Sequence, residues 1–302
     1  MAEITASLVK SLRDKTNAGM MDCKKALTET GGDIEAAVDW LRKKGLSAAA
    51  KRSGRIASEG LVGIAVEGTR GAVVEVNSET DFVARNALFR AFVSGMADLA
   101  CQVGGDLDAL KAATWPASGR TVGEEVTDLA ATIGENITLR RVDGVSTDQG
   151  IVASYVHSAA APGIGRIGVL VALDTAASGE GVAAVGKKLA MHIAAANPVA
   201  ISRSEVPAEA LERERAVLVE QARASGKPDA VIQKMVEGRL GKFYEEVCLL
   251  EQAFVMDPQT KVGALLEAAG KELGSPVTVR RFVRFALGEG IEKAQDDTSA
   301  AA

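Results

Sequence analysis

The chain has 302 residues, of which 47% are hydrophobic and 25% are charged, and its mean hydropathy is +0.10. These values are typical of a folded protein with roughly two or three packing units, and they exclude an intrinsically disordered chain. No uncharged apolar stretch reaches the roughly 18 residues that a membrane span needs. We therefore predict a globular protein that does not enter a membrane.

The net charge of −5 is unevenly distributed along the chain. Residues 1–56 contain 11 Lys and Arg against 7 Asp and Glu, a net charge of +4, so the remainder carries −9. An acidic body disfavours direct binding to nucleic acid, whereas a modestly basic N-terminal part suits an acidic protein surface. Solvated helix faces are the simpler explanation for most of these charges.

The N-terminus and the cysteines favour a cytoplasmic location. The segment "MAEITASLVKSLRDKT" lacks the basic start and the continuous apolar run of a secretion signal. Cys23, Cys101 and Cys248 are far apart and form no CxxC pair, so neither a disulfide framework nor a zinc site is predicted. We expect reduced thiols, no cofactor and no metal.

Residues 1–45 predict a small domain of three helices. "MMDCKKALTET" follows Gly19, and "DIEAAVDWLRKK" follows Asp33 as its N-cap and ends at Gly45. The next segment, 46–60, is small and basic without apolar periodicity, which predicts a linker.

Two adjacent methionines, Met20 and Met21, lie between the first two predicted helices. Methionine is a flexible gap-filler in cores, and it also forms adaptable docking patches on protein surfaces. The sequence leaves both interpretations open for this pair.

Beyond residue 60 the chain repeats itself faintly. Segments 59–77 and 149–173 each predict a strand, a turn and a second strand, and an alanine-rich amphipathic helix follows each of them. Paired arginines mark a third strand in 136–142 and again in 277–283. The simplest account is an α+β fold with two related subdomains, each an antiparallel sheet with helices on one face. We assign residues 61–145 to the first subdomain, and 146–204 with 250–285 to the second.

Residues 205–249 interrupt the second subdomain and predict an antiparallel helical hairpin, with Pro228 near the start of its second helix. Apolar residues recur at spacings of three and four in that helix and form a stripe on one face. They are Val231, Ile232, Met235, Val236, Leu240, Phe243, Tyr244 and Val247. Such a stripe fits contact with another copy or a partner, and it equally fits packing within the protein.

Catalytic motifs are scarce. The two histidines, His157 and His192, lie in no HExxH arrangement and beside no cysteine, and a packed or surface role is favoured for each. "GIGRIG" at 163–168 matches GxGxxG, but the strand-like "VLVAL" follows it where a dinucleotide site needs a helix. A hairpin connection is therefore favoured, and a nucleotide-binding enzyme remains the less favoured alternative.

The stretch "NSETDFVARN" lies between an apolar strand and an amphipathic helix. Thr80 or Asp81 can cap that helix by accepting a hydrogen bond from its first turn. Phe82 has two interpretations. Its heptad spacing to Phe89 favours a core residue at the start of the helix, whereas its place at the corner suits an exposed side chain.

Several segments together resemble the bacterial translation elongation factor Ts family over nearly the whole chain. The most specific are "TDFV" and "GMMDCKKAL". The others are "GDIEAAVDWLRKKG", "RIGVLVAL", "AMHIAAANP", "KFYEEVCLLEQAFVMD" and "VRRFVRFALGEG". The resemblance implies a ubiquitin-associated-like three-helix N-terminal domain, a core of two α+β subdomains and an antiparallel dimerisation hairpin. It also implies a C-terminal helical module within 286–302.

The resemblance further implies a guanine-nucleotide exchange factor that is not an enzyme. Such a factor binds elongation factor Tu with GDP, disturbs its magnesium site and promotes GDP release, so that the nucleotide-free partner can load GTP. The residues implied to dislodge magnesium are Thr80, Asp81, Phe82 and Val83, and an exposed Phe82 is then favoured. The implied partner contacts are Lys24, Ile133, Gly134, His157, Val255 and Met256, which join the docking interpretation of Met20 and Met21. A helical adaptor that leaves nucleotide release unchanged is the alternative function.

Overall fold

A computed structural model describes residues 4–16, 18–224, 226 and 228–292 of the chain, which begins with three helices. They are α1 (Ala6–Thr16), α2 (Met20–Glu29) and α3 (Ile34–Arg52). Their apolar faces form a small core of their own around Leu12 and Leu27. As predicted, Asp33 caps α3, because its carboxylate accepts the backbone N–H of Ala36.

The first subdomain of the core contains three strands and three helices. In chain order these are β1 (Glu59–Glu67), β2 (Arg70–Ser78), α4 (Ala87–Val103), α5 (Leu107–Ala112), α6 (Val122–Ile133) and β3 (Thr138–Ser146).

The linker predicted over 46–60 is wrong in its first half, because α3 continues past Gly45 to Arg52. A Cβ atom at Gly45 would lie 2.9 Å from the Cβ of Ala131 in α6, so the missing side chain permits close packing of the two helices. Ala49, one turn further on, is buried in the core of the first subdomain. The alanine-rich composition therefore serves a helix interface.

The second subdomain repeats this plan and carries the insertion. Its first elements are β4 (Gly150–His157), β5 (Ile164–Gly165), β6 (Ile167–Asp174) and α7 (Glu180–Ala196). The insertion and the return to the sheet follow as α8 (Ala208–Arg223), α9 (Asp229–Val247), β7 (Ala253–Phe254), β8 (Asp257–Lys261), α10 (Val262–Leu273) and β9 (Thr278–Ala286).

The two main sheets correspond in strand order and in register. β2 lies between β1 and β3 just as β6 lies between β4 and β9, and all four pairings are antiparallel. A register shift follows Glu75 in one sheet and Ala172 in the other, so that Arg141 pairs with Glu75 and Arg281 with Ala172. A mixed fold with antiparallel sheets is thus confirmed, and the structural repeat follows the sequence repeat.

The sheets pack face to face, with α4 covering the outer face of one and α7 the outer face of the other. Side chains between the sheets include Val62, Val73, Val152, Leu170 and Val283. The neighbouring strand residues point outward to the helices, because successive side chains alternate between the faces of a strand. Both faces of β2 and β6 are therefore buried, which explains their nearly continuous apolar sequences.

The insertion forms the predicted hairpin of two helices. Ile232, Val236 and Leu240 of α9 pack against Leu218 and Ala222 of α8. Much of the predicted apolar stripe is therefore buried within the hairpin, although 42% of Val231 is exposed. Self-association through the hairpin stays a prediction.

The predicted C-terminal helix is absent from 286–292, the part of the 286–302 module that the structure describes. There the chain leaves β9 and turns, and the backbone N–H of Gly288 donates to Glu75. Residues 293–302 lie outside the described part. Within the described residues, none of the helices combines the length and the apolar composition that crossing a membrane requires.

Candidate functional site

The segment between β2 and α4 forms a corner that exposes one large aromatic side chain. Phe82 is 72% exposed, whereas the adjacent Val83 is 5% exposed and belongs to the core of the first subdomain. The guanidinium of Arg85 lies 6.0 Å from the Phe82 ring centre. The core interpretation of Phe82, based on heptad spacing, is wrong, because the helix begins after this residue.

The capping role predicted for Thr80 or Asp81 is also wrong. A short 3₁₀ turn, Val83–Arg85, intervenes between the strand and α4. Asn86 then caps α4, because its side-chain oxygen accepts the backbone N–H of Leu88 at 2.8 Å. The exposed ring therefore lies one turn before the helix, on a segment with its own support.

That support comes from two carboxylates that tie the corner to the loop after α6. Glu135 accepts the backbone N–H of Thr80 at 2.9 Å and the Thr80 hydroxyl at 2.6 Å. In the opposite direction, Glu79 accepts the backbone N–H of Asn136 at 2.6 Å. Hydrogen bonds to ionised acceptors are roughly twice as strong as neutral ones, so these contacts fix the corner. Thr80 thus positions the corner and does not cap the helix.

The end of α6 and the start of the loop after it carry two of the predicted partner contacts. Gly134 ends α6 in the left-handed conformation, with φ of 87°, and Ile133 is partly buried against the core. The Thr80 to Glu135 contact therefore brings residues 80–83 and 133–134 together. We call this set the corner surface.

A cleft with a volume of about 690 Å³ lies between the C-terminal end of α6 and the N-terminal helices. Ile133 and Gly134 line one side, and Gly19 at the start of α2 lines the other. Met20 and Met21 follow Gly19 and are 45% and 77% exposed, so the core-filling interpretation of these methionines is wrong.

Lys24, also predicted to contact a partner, lies on α2 with its side chain exposed. Its neighbour Cys23 is buried in the core of the N-terminal helices. The exposed face of α2 therefore lies beside the cleft, where a partner protein can contact it.

The remaining predicted contacts lie in the second subdomain. Val255 and Met256 form the turn between β7 and β8 and are 44% and 47% exposed. His157 is exposed at the end of β4, with its Nδ1 3.2 Å from the hydroxyl of Tyr155. Among the hydrogen bonds of the described residues, none joins these three to residues 80–83.

The loop after His157 contains the "GIGRIG" glycines and links the two subdomains. Its strand β5 pairs with Val62 and Gly63 of β1, and β6 begins at Ile167. No helix follows these glycines within 163–174, so the dinucleotide interpretation is wrong. Among the described residues, no cluster of three or more His, Cys, Asp or Glu side chains could hold a metal ion.

Sequence reasoning assigned no functional role to His192, which lies beneath the 255–256 turn. The ring is fully buried, its Nδ1 accepts the backbone N–H of Val255 at 3.2 Å, and its Nε2 lies 2.9 Å from Gln252 Oε1. Burial lowers the pKa of His192, and the hydrogen bond with Gln252 opposes that shift. No local motif signals this contact, because the two bonded residues are 63 positions apart in the sequence.

Comparison with known protein families assigns the chain to one of them. The family model described as "Elongation factor TS" matches residues 79–289, from the corner to the turn after β9. The chain belongs to the elongation factor Ts family. This confirms the resemblance inferred from the sequence motifs.

Three relatives, each named Elongation factor Ts, are similar to this member of the family over nearly its full length. The relative from Rhodospirillum rubrum is 64% identical over 301 residues, which cover 99% of this chain and 97% of the relative. The relative from Paramagnetospirillum magneticum is 60% identical and that from Rhodospirillum centenum is also 60% identical, each over 300 residues. These alignments cover 99% of this chain, with 96% and 98% of the two relatives.

Proposed function

We propose that this protein is a guanine-nucleotide exchange factor in translation elongation, acting by protein binding and not as an enzyme. It binds elongation factor Tu with GDP, disturbs the magnesium site and promotes GDP release, so that GTP can load. Membership of the elongation factor Ts family supports the partner and the activity. The observation that carries the mechanism is Phe82, a 72% exposed aromatic side chain on a corner held by hydrogen bonds.

The physical requirement for such a factor is negative coupling between two ligands of one GTPase. The factor must bind the nucleotide-free form more tightly than the GDP form, and GDP must weaken binding of the factor by the same ratio. Magnesium is a suitable target because it demands near-octahedral geometry and bridges protein and phosphate oxygens. A rigid aromatic side chain that repacks the supporting loops would loosen the ion and the nucleotide together.

Phe82 accounts for only part of the energy. Burying one phenylalanine contributes roughly 1.5–3 kcal/mol. Accelerating release by about ten-thousand-fold requires lowering the barrier by ~5.5 kcal/mol. Other contacts must supply the difference, and the exposed apolar side chains at Met20, Met21, Val255 and Met256 are suited to do so.

We infer roles for the remaining predicted residues on the same basis. Thr80, Asp81 and Val83 would support insertion of Phe82, while Ile133, Gly134, Lys24 and His157 would contact the partner. The three N-terminal helices would form a ubiquitin-associated-like docking domain. The hairpin would serve self-association, and the protein would act in the cytoplasm on both the GDP-bound and the nucleotide-free partner without direct contact with nucleic acid.

The decisive test is GDP release from elongation factor Tu, measured with the wild-type factor and with Phe82→Ala at several magnesium concentrations. At saturating factor we expect the variant to be about 10- to 100-fold slower, the equivalent of the burial energy of one phenylalanine. The difference should shrink when a chelator removes magnesium, because the ion then needs no displacement. Val217→Ala is a matched control, since Val217 is 43% exposed on the hairpin helix α8.

Three outcomes would contradict parts of this proposal. Unchanged GDP release with the wild-type factor would reject exchange activity and, if binding persisted, would support the adaptor. Release by Phe82→Ala at the wild-type rate would reject insertion. An equal difference with and without magnesium would reject the ion as the target.

A further inference from the structure

A chain of hydrogen bonds, in which each group has a defined role as donor or acceptor, leads through Gln252 and His192 to the 255–256 turn. The side-chain amide of Gln252 donates to the backbone carbonyl of Glu246 at 2.6 Å and to that of Ala196 at 3.4 Å. These bonds orient Gln252 Oε1 toward His192, whose Nε2 lies 2.9 Å away. On the other side of the ring, Nδ1 accepts the backbone N–H of Val255 at 3.2 Å.

The two ends of this chain of hydrogen bonds determine the protonation of the ring. Backbone carbonyls can only accept and the Val255 N–H can only donate, so each side chain between them has one consistent role. His192 must be neutral with its proton on Nε2. Its burial, with the Phe254 ring centre 5.7 Å away, favours the same neutral form.

The turn needs support from outside its own sequence. It connects paired residues Phe254 and Asp257 through two residues only. Two-residue hairpin loops prefer type I′ or II′ turns, which require positive φ, and neither Val255 nor Met256 has positive φ. Asp257 steadies the far side by accepting the Thr260 hydroxyl at 2.7 Å. The near side is held through the Val255 amide.

We propose that His192 is a positioning residue that holds the 255–256 turn in the conformation in which Val255 and Met256 bind elongation factor Tu. The imidazole does not reach the partner, because it is fully buried beneath the turn. It acts by fixing the backbone from which two half-exposed apolar side chains project. The inference rests on the proposed function for its partner and on the hydrogen bonds alone for its geometry.

Two substitutions at His192 separate the hydrogen bond to the turn from general packing. In His192→Asn, the side-chain oxygen can occupy the place of Nδ1 and still accept the Val255 N–H, while the contact with Gln252 is lost. In His192→Gln, the longer side chain can reach Gln252 but leaves the Val255 amide without its acceptor. Both variants remove the ring, so loss of stability by itself should be similar in the two.

The measurement is the rate of GDP release from elongation factor Tu as a function of factor concentration. We expect His192→Gln to raise the half-maximal concentration about ten-fold, the equivalent of ~1.4 kcal/mol, with little change in the maximal rate. His192→Asn should stay within about two-fold of wild type. Met256→Ala should also raise the half-maximal concentration, and combining it with His192→Gln should give less than the product of the two effects, because both act through one turn.

Equal losses in the Asn and Gln variants, or multiplicative effects in the double variant, would overturn the positioning role. So would wild-type behaviour of His192→Gln while Met256→Ala is impaired. A wild-type factor that fails to accelerate GDP release contradicts the proposed function itself, which is a different result.

A measurement on the wild-type protein covers the case in which the variants do not fold. Nitrogen NMR of His192 should show a neutral ring protonated at Nε2, and the Val255 amide should exchange slowly with solvent although its side chain is exposed. Protonation at Nδ1, or rapid exchange of that amide, would overturn the inference without any functional assay.

Discussion

The two subdomains of the core share strand order and register, yet they use one corresponding position in opposite ways. Glu75 in β2 and Ala172 in β6 precede the same register shift and pair with Arg141 and Arg281 respectively. Both residues are fully buried between the sheets. One subdomain places a carboxylate there and the other a methyl group, so the shared fold does not require the charge.

The carboxylate connects parts of the chain that are distant in sequence. The carboxylate of Glu75 accepts hydrogen bonds from the guanidinium of Arg140 at 2.9 Å, the guanidinium of Arg141 at 2.5 Å and the backbone N–H of Gly288 at 2.9 Å. Burial raises the pKa of Glu75, but the hydrogen bonds from Gly288, Arg141 and Arg140 outweigh it and lower the pKa overall. Glu75 thus fastens the turn after β9 to the sheet of the other subdomain.

The segments that follow the central strands differ as well. After β2, hydrogen bonds to Glu135 and a side-chain cap from Asn86 fix the corner that exposes Phe82. After β6, the N-cap position of α7 is held by Gly179, which has no side chain with which to cap the helix. The first subdomain therefore presents its exposed aromatic side chain from the strand-to-helix corner, whereas the second presents Val255 and Met256 from the turn between β7 and β8, which follows its insertion.

Among the substitutions that test this difference between the subdomains, Glu75→Gln should have the largest effect on stability. Removing one partner of a fully buried ion pair costs about 3–5 kcal/mol. Because Arg140 and Arg141 are partly solvated and keep bonds to residues 286–289, we expect a smaller loss of about 2–3 kcal/mol. Denaturant unfolding measures it. Glu67→Gln is the control, since its ion pair with Arg70 is exposed and should contribute less than about 1 kcal/mol. Equal losses in the two variants would contradict the role of Glu75.

The same carboxylate gives the asymmetry a pH dependence. The pKa of Glu75 in the folded state lies below its ordinary value of 4.5, so the ionised carboxylate contributes its full stabilisation above pH 4.5. That contribution is lost as the pH falls through the folded-state pKa. The free energy of unfolding should therefore differ most between wild type and Glu75→Gln near neutral pH. The difference should shrink steadily below pH 4.5. A constant difference down to strong acid would reject the ionised carboxylate as its source.

Glu135→Ala should loosen the corner surface without touching Phe82. It removes both acceptors of Thr80, and hydrogen bonds to charged groups contribute about 1.5–3 kcal/mol when buried. Since Glu135 is only partly buried, we expect a loss of about 1–2 kcal/mol in stability. GDP release from elongation factor Tu should slow by less than in Phe82→Ala. Glu135→Gln keeps one acceptor, a neutral amide oxygen, and should fall between wild type and Glu135→Ala. An unchanged release rate in Glu135→Ala would show that the corner needs no such support.

The sequence pattern predicted those features of the fold that are encoded within short segments of the chain. Strand runs, amphipathic helices and paired arginines lie within short segments, so the repeat and the hairpin were accessible. Contacts between distant residues were not: Glu135 lies 55 positions from Thr80, and His192 lies 63 from Val255. Periodicity alone left Phe82 open between a core and an exposed position, because the heptad spacing continues past the true start of α4 at Ala87, and only the family resemblance favoured exposure. The alanines after Gly45 were misassigned because their composition suits a linker and a close helix interface equally.

The smallest effect in this comparison is expected at the start of α4. Asn86→Ala removes the side-chain cap and should cost about 1 kcal/mol, whereas Asn86→Gly should cost only a few tenths. The glycine variant makes this helix start resemble that of α7, where Gly179 lies at the N-cap. If the cap serves only helix stability, the rate of GDP release should fall only slightly, in proportion to these small losses of stability. Phe82→Ala should then slow release by the same factor in the Asn86→Gly background as in wild type. A large loss of exchange in a stable Asn86→Gly protein would instead show that the cap itself orients the corner.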